Sequence, residues 1–341
     1  MEHFIKYVDI HNFKSIKDLR LDDCRRINIF LGYPNVGKSN VLEALSLFSL
    51  PFLKDGESLN KLVRVENKNE LFYDVSEQMY YDIMATNQGR ITFGKEPQLI
   101  IQIDNNWGGN FWFSDDLKYD CPKYFGLEPK VLSKFPSGNI KRYTFQTNNQ
   151  WKFTGDSQLL PPFGENIVET LSYNPNVNEV NEWIAKECAK YNLEYVMDFD
   201  SNSVKVQKRL SENKVRQFPY SSIADTLQRL IFYKTAIASN KNSVLLFEEP
   251  EAHAFPPYIQ TVMQDIIDAE SNQFFIVTHS PLVVNAFLEY EKLRKETSIY
   301  VFDYKNDQTT AKRLSDEEME LAYEYGNDLF FNLENLLVDG L

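Results

Sequence analysis

Gly32-Tyr33-Pro34-Asn35-Val36-Gly37-Lys38-Ser39 decides the fold of this chain. The octet fits Gly-x-x-x-x-Gly-Lys-Ser/Thr. An apolar run, Ile27 to Leu31, precedes it, and a helix-spaced set (Val41, Leu42, Leu45, Phe48) follows within 36–50. Gly32 and Gly37 let the backbone curl, so that consecutive N–H groups and the positive end of the helix converge on a triphosphate. Lys38 then reaches the β- and γ-phosphates, and the Ser39 hydroxyl is placed to ligate Mg2+. Asn35 and Asn40 flank these groups and join Gly37, Lys38 and Ser39 as candidate ATP-binding residues. Strand, phosphate loop and helix together predict an α/β fold with the site at the strand's C-terminal end.

A phosphate cradle hydrolyses nothing by itself, and a second strand ending in carboxylates is needed. Ser243-Val-Leu-Leu-Phe-Glu248-Glu249-Pro250 supplies one: four apolar residues fit a strand buried between helices, followed by two adjacent carboxylates. Glu248 is the candidate Mg2+ ligand alongside Ser39. Glu249 is the candidate catalytic base that orients or deprotonates the attacking water. Phe274-Phe-Ile-Val-Thr278-His279-Ser280-Pro281 repeats the pattern, an apolar strand ending on a polar group and an imidazole. His279, one of only four histidines, is thereby a candidate γ-phosphate sensor.

These pieces lie in two stretches. Residues 1–50 read as strand, turn, strand, loop, helix. From 220 onward helices (221–238, 256–269, 281–288) alternate with apolar strands (243–247, 274–277) in βαβ fashion. Between them, 51–219 changes character. Short aromatic or alternating runs suggest a small antiparallel sheet, followed by a helix at 178–191 and a hairpin at 194–209. The expected organisation is a core of 1–50 and 220–341, split by a mixed antiparallel-β and helical insertion at 51–219.

The 341 residues carry 36 basic and 49 acidic side chains, a net charge of −13, with 43% hydrophobic residues. That composition excludes wholesale disorder and a disulfide-stapled miniprotein. It also argues against a continuous positive coat for nonspecific nucleic-acid binding. Cys24, Cys121 and Cys188 lack metal-ligand spacing and are expected to be inert thiols in a reducing compartment. No signal-peptide core and no apolar run of membrane-spanning length is evident, so a cytoplasmic protein without membrane partners is expected.

Lys38-Ser39, Phe247-Glu-Glu-Pro-Glu-Ala-His253 and Thr278-His-Ser-Pro281 resemble the ATP-binding-cassette head of the RecF, SMC and overcoming-lysogenization-defect group of ATPases. Asn12-Phe-Lys-Ser-Ile-Lys17 is similar to that group's N-terminal strand pair. The resemblance covers roughly 1–50 and 215–290. It implies a P-loop NTPase fold of the ATP-binding-cassette type, ATP and Mg2+ as ligands, and a head that dimerises around ATP. The facing signature segment corresponds to Tyr220-Ser-Ser222-Ile-Ala-Asp225-Thr-Leu-Gln228-Arg229, where Ser222, at a helix N-terminus, is the candidate phosphate donor. It lacks the group's glycines, and Glu248 stands where the usual residue is aspartate. A Q-loop glutamine is implied within the insertion, with Gln88, Gln98 and Gln102 unranked.

The resemblance implies one of two settings: a prokaryotic anti-phage defence ATPase controlling a separately encoded nuclease or toxin, or a RecF-like repair ATPase. The acidic composition, Glu248 and the lack of long arms favour defence. A scaffold gated by ATP with negligible turnover is the reading from a different class. The stretch after residue 290 leaves no room for the Toprim nuclease that some members carry, so an effector is expected on another chain.

Two weaker features have competing readings. Lys205, Lys208, Arg209, Lys214 and Arg216, with Arg20, Arg25 and Arg26, could line a DNA-facing groove or be solvated turn charge. Trp107, Phe111, Trp112, Phe113 and Trp151 could stack bases or form the core of a small sheet. Finally, the acidic segment 315–341 holds eight acids and no base, leaving −5 over the first 314 residues. Its Phe330, Phe331, Leu333, Leu336 and Leu337 fit either docking of a basic partner or second subunit, or packing on the head.

Overall fold

The computed structural model describes residues 4–53, 58–66, 68–73, 82–86, 90–93, 99–103, 109–113, 119–120, 140–147, 151–324 and 329–337. These form two compact units: Met1–Arg142 with Asn242–Glu249 and Ser271–Leu341, and Tyr143–Lys241 with Pro250–Glu270.

The first unit is built on β3 (Ile27–Gly32), all six residues of which are buried. Such a strand needs cover on both faces and partners on both edges. Its edges pair in parallel with β14 (Gln273–Val277) and β15 (Thr297–Lys305), Ile27 lying opposite both Phe274 and Thr297. With β9 (Ile140–Tyr143), β13 (Val244–Glu248) and β16 (Gln308–Arg313) the sheet order is β16-β15-β3-β14-β13-β9. The expected strands near 243–247 and 274–277 therefore pair directly, in parallel, with Glu248 opposite Val277. β15 and β16 form a hairpin absent from the sequence reading. Its loop, Asn306-Asp307, has both residues at positive φ (52° and 60°), the conformation a tight two-residue hairpin requires.

Helix α1 (Lys38–Ser46) touches β3, β13 and β14 of this sheet and also β1 (Val8–Phe13) of a second one. That double cover explains why Val41, Leu42, Ala44 and Leu45 are fully buried. The second sheet is seven-stranded. β1 pairs with β2 (Ile16–Leu21) on one edge and β6 (Leu99–Ile103) on the other, and β5 (Arg90–Phe93), β4 (Asp82–Thr86), β7 (Gly109–Phe113) and β8 (Tyr119–Asp120) continue it. The antiparallel strands anticipated after residue 51 thus extend the sheet begun by the first 21 residues rather than closing on themselves.

Helices α2 (Ile167–Tyr173), α3 (Asn178–Ala189), α4 (Asp225–Ser239) and α5 (Pro256–Asp268) belong to the second unit, with the three-stranded sheet β10 (Glu194–Asp198), β11 (Ser203–Ser211) and β12 (Lys214–Pro219). The expected hairpin at 194–209 gains a third strand. α4 begins later than the expected 221, because Tyr220–Ser222 is a single 3-10 turn and Ile223 and Ala224 are extended.

In the first unit, α6 (Pro281–Leu288), α7 (Glu291–Lys295), α8 (Asp316–Glu324) and α9 (Leu333–Leu337) complete the chain. Met319 and Ala322 of α8 and Leu333 and Leu336 of α9 are buried, α8 against α6 and α7 and α9 against β15. The acidic segment therefore packs through its apolar face, while Asp316 pairs with Arg25 and Arg313. Among the described residues, no helix is long and apolar enough to cross a membrane.

Candidate active site

The loop between β3 and α1 is shaped by its two glycines. Gly37 precedes the first residue of α1 at φ 98°, a conformation that disfavours any side chain. A Cβ there would lie 2.0 Å from Thr309 Oγ1 and 2.8 Å from Ser15 Oγ. Gly32, at φ 146°, would set a Cβ 2.5 Å from the Phe302 carbonyl oxygen. Both glycines are therefore required by the neighbouring backbone or side chains as well as by phosphate access. Asn35 is also left-handed, at φ 63°, which asparagine tolerates better than most residues.

The loop opens on a cavity of about 360 Å3 lined by Ser15, Asn35, Gly37, Lys38, Ser39, Asn40, Arg64, Glu248, Glu249 and His279. Eight of the nine residues singled out in the sequence thus meet at one place. Ser222 is the exception. It lies in the second unit, exposed, within the 3-10 turn rather than at a helix N-terminus.

Lys38 is 5% exposed and donates to the carbonyls of Gly32 (2.8 Å) and Tyr33 (2.7 Å). Burial pulls its pKa down to about 8 against the opposing pull of Glu249 and Glu248. Ser39 Oγ donates to Glu248 Oε1 at 2.5 Å, and Arg142 Nη2 donates to Glu248 Oε2 at 2.6 Å. Burial pushes the Glu248 carboxyl up, but Arg142, the Ser39 hydrogen bond and Arg64 outweigh it and hold the group below its ordinary value. Glu249 turns away through a positive φ of 46°, and its N–H bonds to the Val277 carbonyl. That turn brings Glu249 Oε1 to 3.5 Å from His279 Nε2, with both side chains open to the cavity. Burial and the Lys38 charge depress the His279 pKa despite Glu249, so the ring is neutral at pH values above its ordinary 6.5.

Several groups behind the loop were not anticipated. Glu43, on α1 one turn after Ser39, is fully buried and bridges Lys14 and Arg64. Arg142, from edge strand β9, is 6% exposed and also donates to the Leu62 carbonyl. Asn40 donates to Ser15, whose hydroxyl shares a hydrogen bond with Thr309. The strand-pair motif held the one available signal: Asn12 near the end of β1 and Lys14 in the β1–β2 turn take positive φ, and Lys14 pairs with Glu43. Of the glutamines proposed for a Q-loop, Gln88 and Gln98 lie outside the described residues. Gln102 is on β6, opposite Asp9 in the seven-stranded sheet.

The basic residues suggested for a nucleic-acid groove are largely consumed by internal pairs. Arg26 bonds to Glu296, Arg25 to Asp316, Arg20 to Asp22, Lys205 to Asp198 and Arg209 to Glu194. Lys208, Lys214 and Arg216 are exposed on β11 and β12. Trp107 lies outside the described residues, as do the side chains of Phe111, Trp112 and Phe113, while Trp151 packs edge-on to Tyr220. Cys24 and Cys188 are buried and unbridged, and Cys121 lies outside the described residues.

Hydroxyl and carboxylate oxygens suit a hard divalent cation, and Ser39 with Glu248 at hydrogen-bonding separation fits the donor set of Mg2+ beside a phosphate loop. Lys38 and the loop fit a polyphosphate. Comparisons with known proteins agree. Residues 141–285 match the family described as "AAA domain, putative AbiEii toxin, Type IV TA system". An ATP/GTP phosphatase of Helicobacter pylori is 21% identical over 96% of this chain and all of its own length. The DNA replication and repair protein RecF of Caldanaerobacter subterraneus is 33% identical over 70 residues, which cover 20% of this chain and 19% of RecF. The fold matches a Pyrococcus furiosus Smc head domain, solved with an extended coiled coil and bound to the C-terminal domain of ScpA. The TM-score is 0.51 at 12% identity, over 95% of this chain and all of that one.

These matches make the chain similar to ATPases of the RecF kind, with a fold like that of an SMC head. The family match begins at β9, so it spans Arg142, Glu248, Glu249 and His279 but not the phosphate loop. The site departs from a minimal two-carboxylate arrangement in that Glu248 is shared between a hydroxyl and an arginine.

Proposed function

We propose that this ATPase hydrolyses ATP in the presence of Mg2+ and works as a nucleotide switch that dimerises around ATP, as the ATPase component of a prokaryotic anti-phage defence system whose effector is a separate chain. The observation that carries the chemistry is the convergence of Lys38, Ser39–Glu248 and Glu249–His279 on one cavity.

Lys38, released from the Gly32 and Tyr33 carbonyls, binds the terminal phosphates. Ser39 and Glu248 would hold Mg2+, which would supply charge compensation at the phosphates. Glu249 orients a water for in-line attack and accepts its proton. His279, neutral and 3.5 Å from Glu249, donates its single N–H to the γ-phosphate. Arg142 keeps Glu248 ionised and oriented without reaching the substrate. Ser222 of a second copy is the proposed donor across the dimer.

Phosphate release by wild type and Glu249→Gln tests this reading. Losing the base should slow turnover by about 10²–10⁴-fold while ATP binding persists. Equal background rates for both proteins would leave an ATP-gated scaffold instead. The defence setting is supported by the toxin–antitoxin wording of the family match, and it fails if the chain's stable partners in cells are recombination proteins. RecF-like repair is the second reading, favoured by the similarity to RecF. It requires ATP-dependent retention of duplex DNA that weakens steeply with salt.

A further inference from the structure

The second unit contains a larger cavity than the phosphate-loop site, about 630 Å3, formed entirely by its own residues. That volume falls within the range of small-molecule pockets. Its walls are aromatic. Trp151 and Tyr220 meet edge to face with ring centres 5.1 Å apart, and Phe145 and Phe232 do the same at 5.8 Å. An aromatic cluster that only filled a core would close on itself, but here Trp151, Phe145 and Tyr220 remain partly exposed around open space.

Another part of the lining is polar and electrically balanced. It is formed by the turn from β10 to β11, where Ser201 and Ser203 share a hydrogen bond at 2.6 Å and Asn202 takes a left-handed φ of 44°. Lys205, the charged residue of the lining, is neutralised by Asp198, whose Oδ1 also accepts the N–H groups of Asp200 and Ser201. No cation is left over in this lining to hold a phosphate. The amides of Asn202 and Gln146, both in the lining, each offer a donor and an acceptor. An amide can pair with the donor and acceptor on one edge of adenine, and aromatic faces stack on any base.

We infer that this cavity is a second ligand site, specific for an uncharged planar heteroaromatic compound of the adenine nucleoside class and separate from the phosphate-loop site. Tyr220 and Ser221 line it, and the chain runs from them directly through Ser222 into α4, so a ligand here contacts the segment that leads to the signature helix.

Calorimetric titration of the full chain with adenosine tests the site, using wild type and Lys38→Ala. Equal, saturable one-to-one binding to both is the expected result, with adenosine monophosphate binding no more tightly. Trp151→Ala should weaken adenosine about tenfold or more, in line with the loss of one stacking contact. Asn202→Asp, which keeps a residue tolerant of the left-handed turn, should also weaken it about tenfold by removing the amide donor. Cooperative thermal unfolding checks that both variants are folded. Absence of saturable binding at millimolar adenosine overturns the inference. So does loss of binding in Lys38→Ala, or unchanged affinity in both cavity variants.

Discussion

Lys38 carries a pH dependence that can be worked out in sign. Its pKa is about 8 in the folded chain and 10.5 when unconstrained. The unfolded state therefore binds more protons between those values, and this residue's contribution to stability rises as pH increases from about 8 to 10.5. A bound polyphosphate reverses the balance, because it favours the charged ammonium. ATP binding should accordingly take up protons, and affinity should fall as pH rises through 8. Calorimetry in buffers of different ionisation enthalpy at pH 8.5 measures that uptake. Lys38→Arg, always charged, should show none.

His279 shifts in the same direction for a related reason, burial beside Lys38. Removing the Lys38 charge should raise its pKa toward 6.5. The identities of Lys38, Ser39, Glu248, Glu249 and His279 were legible in the sequence because each sits at a strand end or loop with a fixed chemical requirement. Arg142, Glu43 and Thr309 were not. Their partners lie 106, 29 and 294 residues away, and no local spacing announces such pairs.

At the scale of elements, the phosphate loop is wedged as well as curled. Ser15 of the β1–β2 turn and Thr309 of β16 press on Gly37 from the side where a methyl group would go. Gly37→Ala should destabilise the chain by about 2 kcal/mol or more, from the positive φ together with displacement of Thr309. Chemical denaturation measures the loss. A second change, Thr309→Ala, should recover the steric part but not the conformational part, and full recovery would show that φ strain is negligible here.

The same scale explains what the sequence concealed. β13 and β14 announce themselves as apolar runs because they are buried on both faces. β16, with only Thr309 fully buried, reads as a polar loop, Gln308–Arg313. The signature segment was read as helix from 221 because Ser-Ser precedes a periodic run, yet the helix waits for Asp225, whose carboxylate pairs with Arg229 one turn on at 2.8 Å.

For the molecule as a whole, much of the net charge of −13 lies in the segment 315–341, which fits either docking of a partner or packing on the head. The acids of 315–324 sit on a helix whose buried side faces α6 and α7, and Asp316 answers Arg25 and Arg313. Truncation after Leu314 should therefore lower the melting temperature and expose apolar surface near Leu293 and β15. A truncated chain that unfolds at the wild-type temperature would return the segment to a purely external role.

Strand order has a further consequence, for synthesis. β3 emerges among the first 32 residues, but one of its two parallel neighbours ends at residue 277 and the other at residue 305. At about 5–20 residues per second, a ribosome needs roughly 15–55 s to cover that distance. Until residue 277 is made this fully buried strand has neither parallel flank, and until residue 309 is made Gly37 has no Thr309 beside it. Both parallel flanks of the strand that leads into the phosphate loop are thus supplied late in synthesis, the order in which long-range sheet pairing leaves apolar surface exposed.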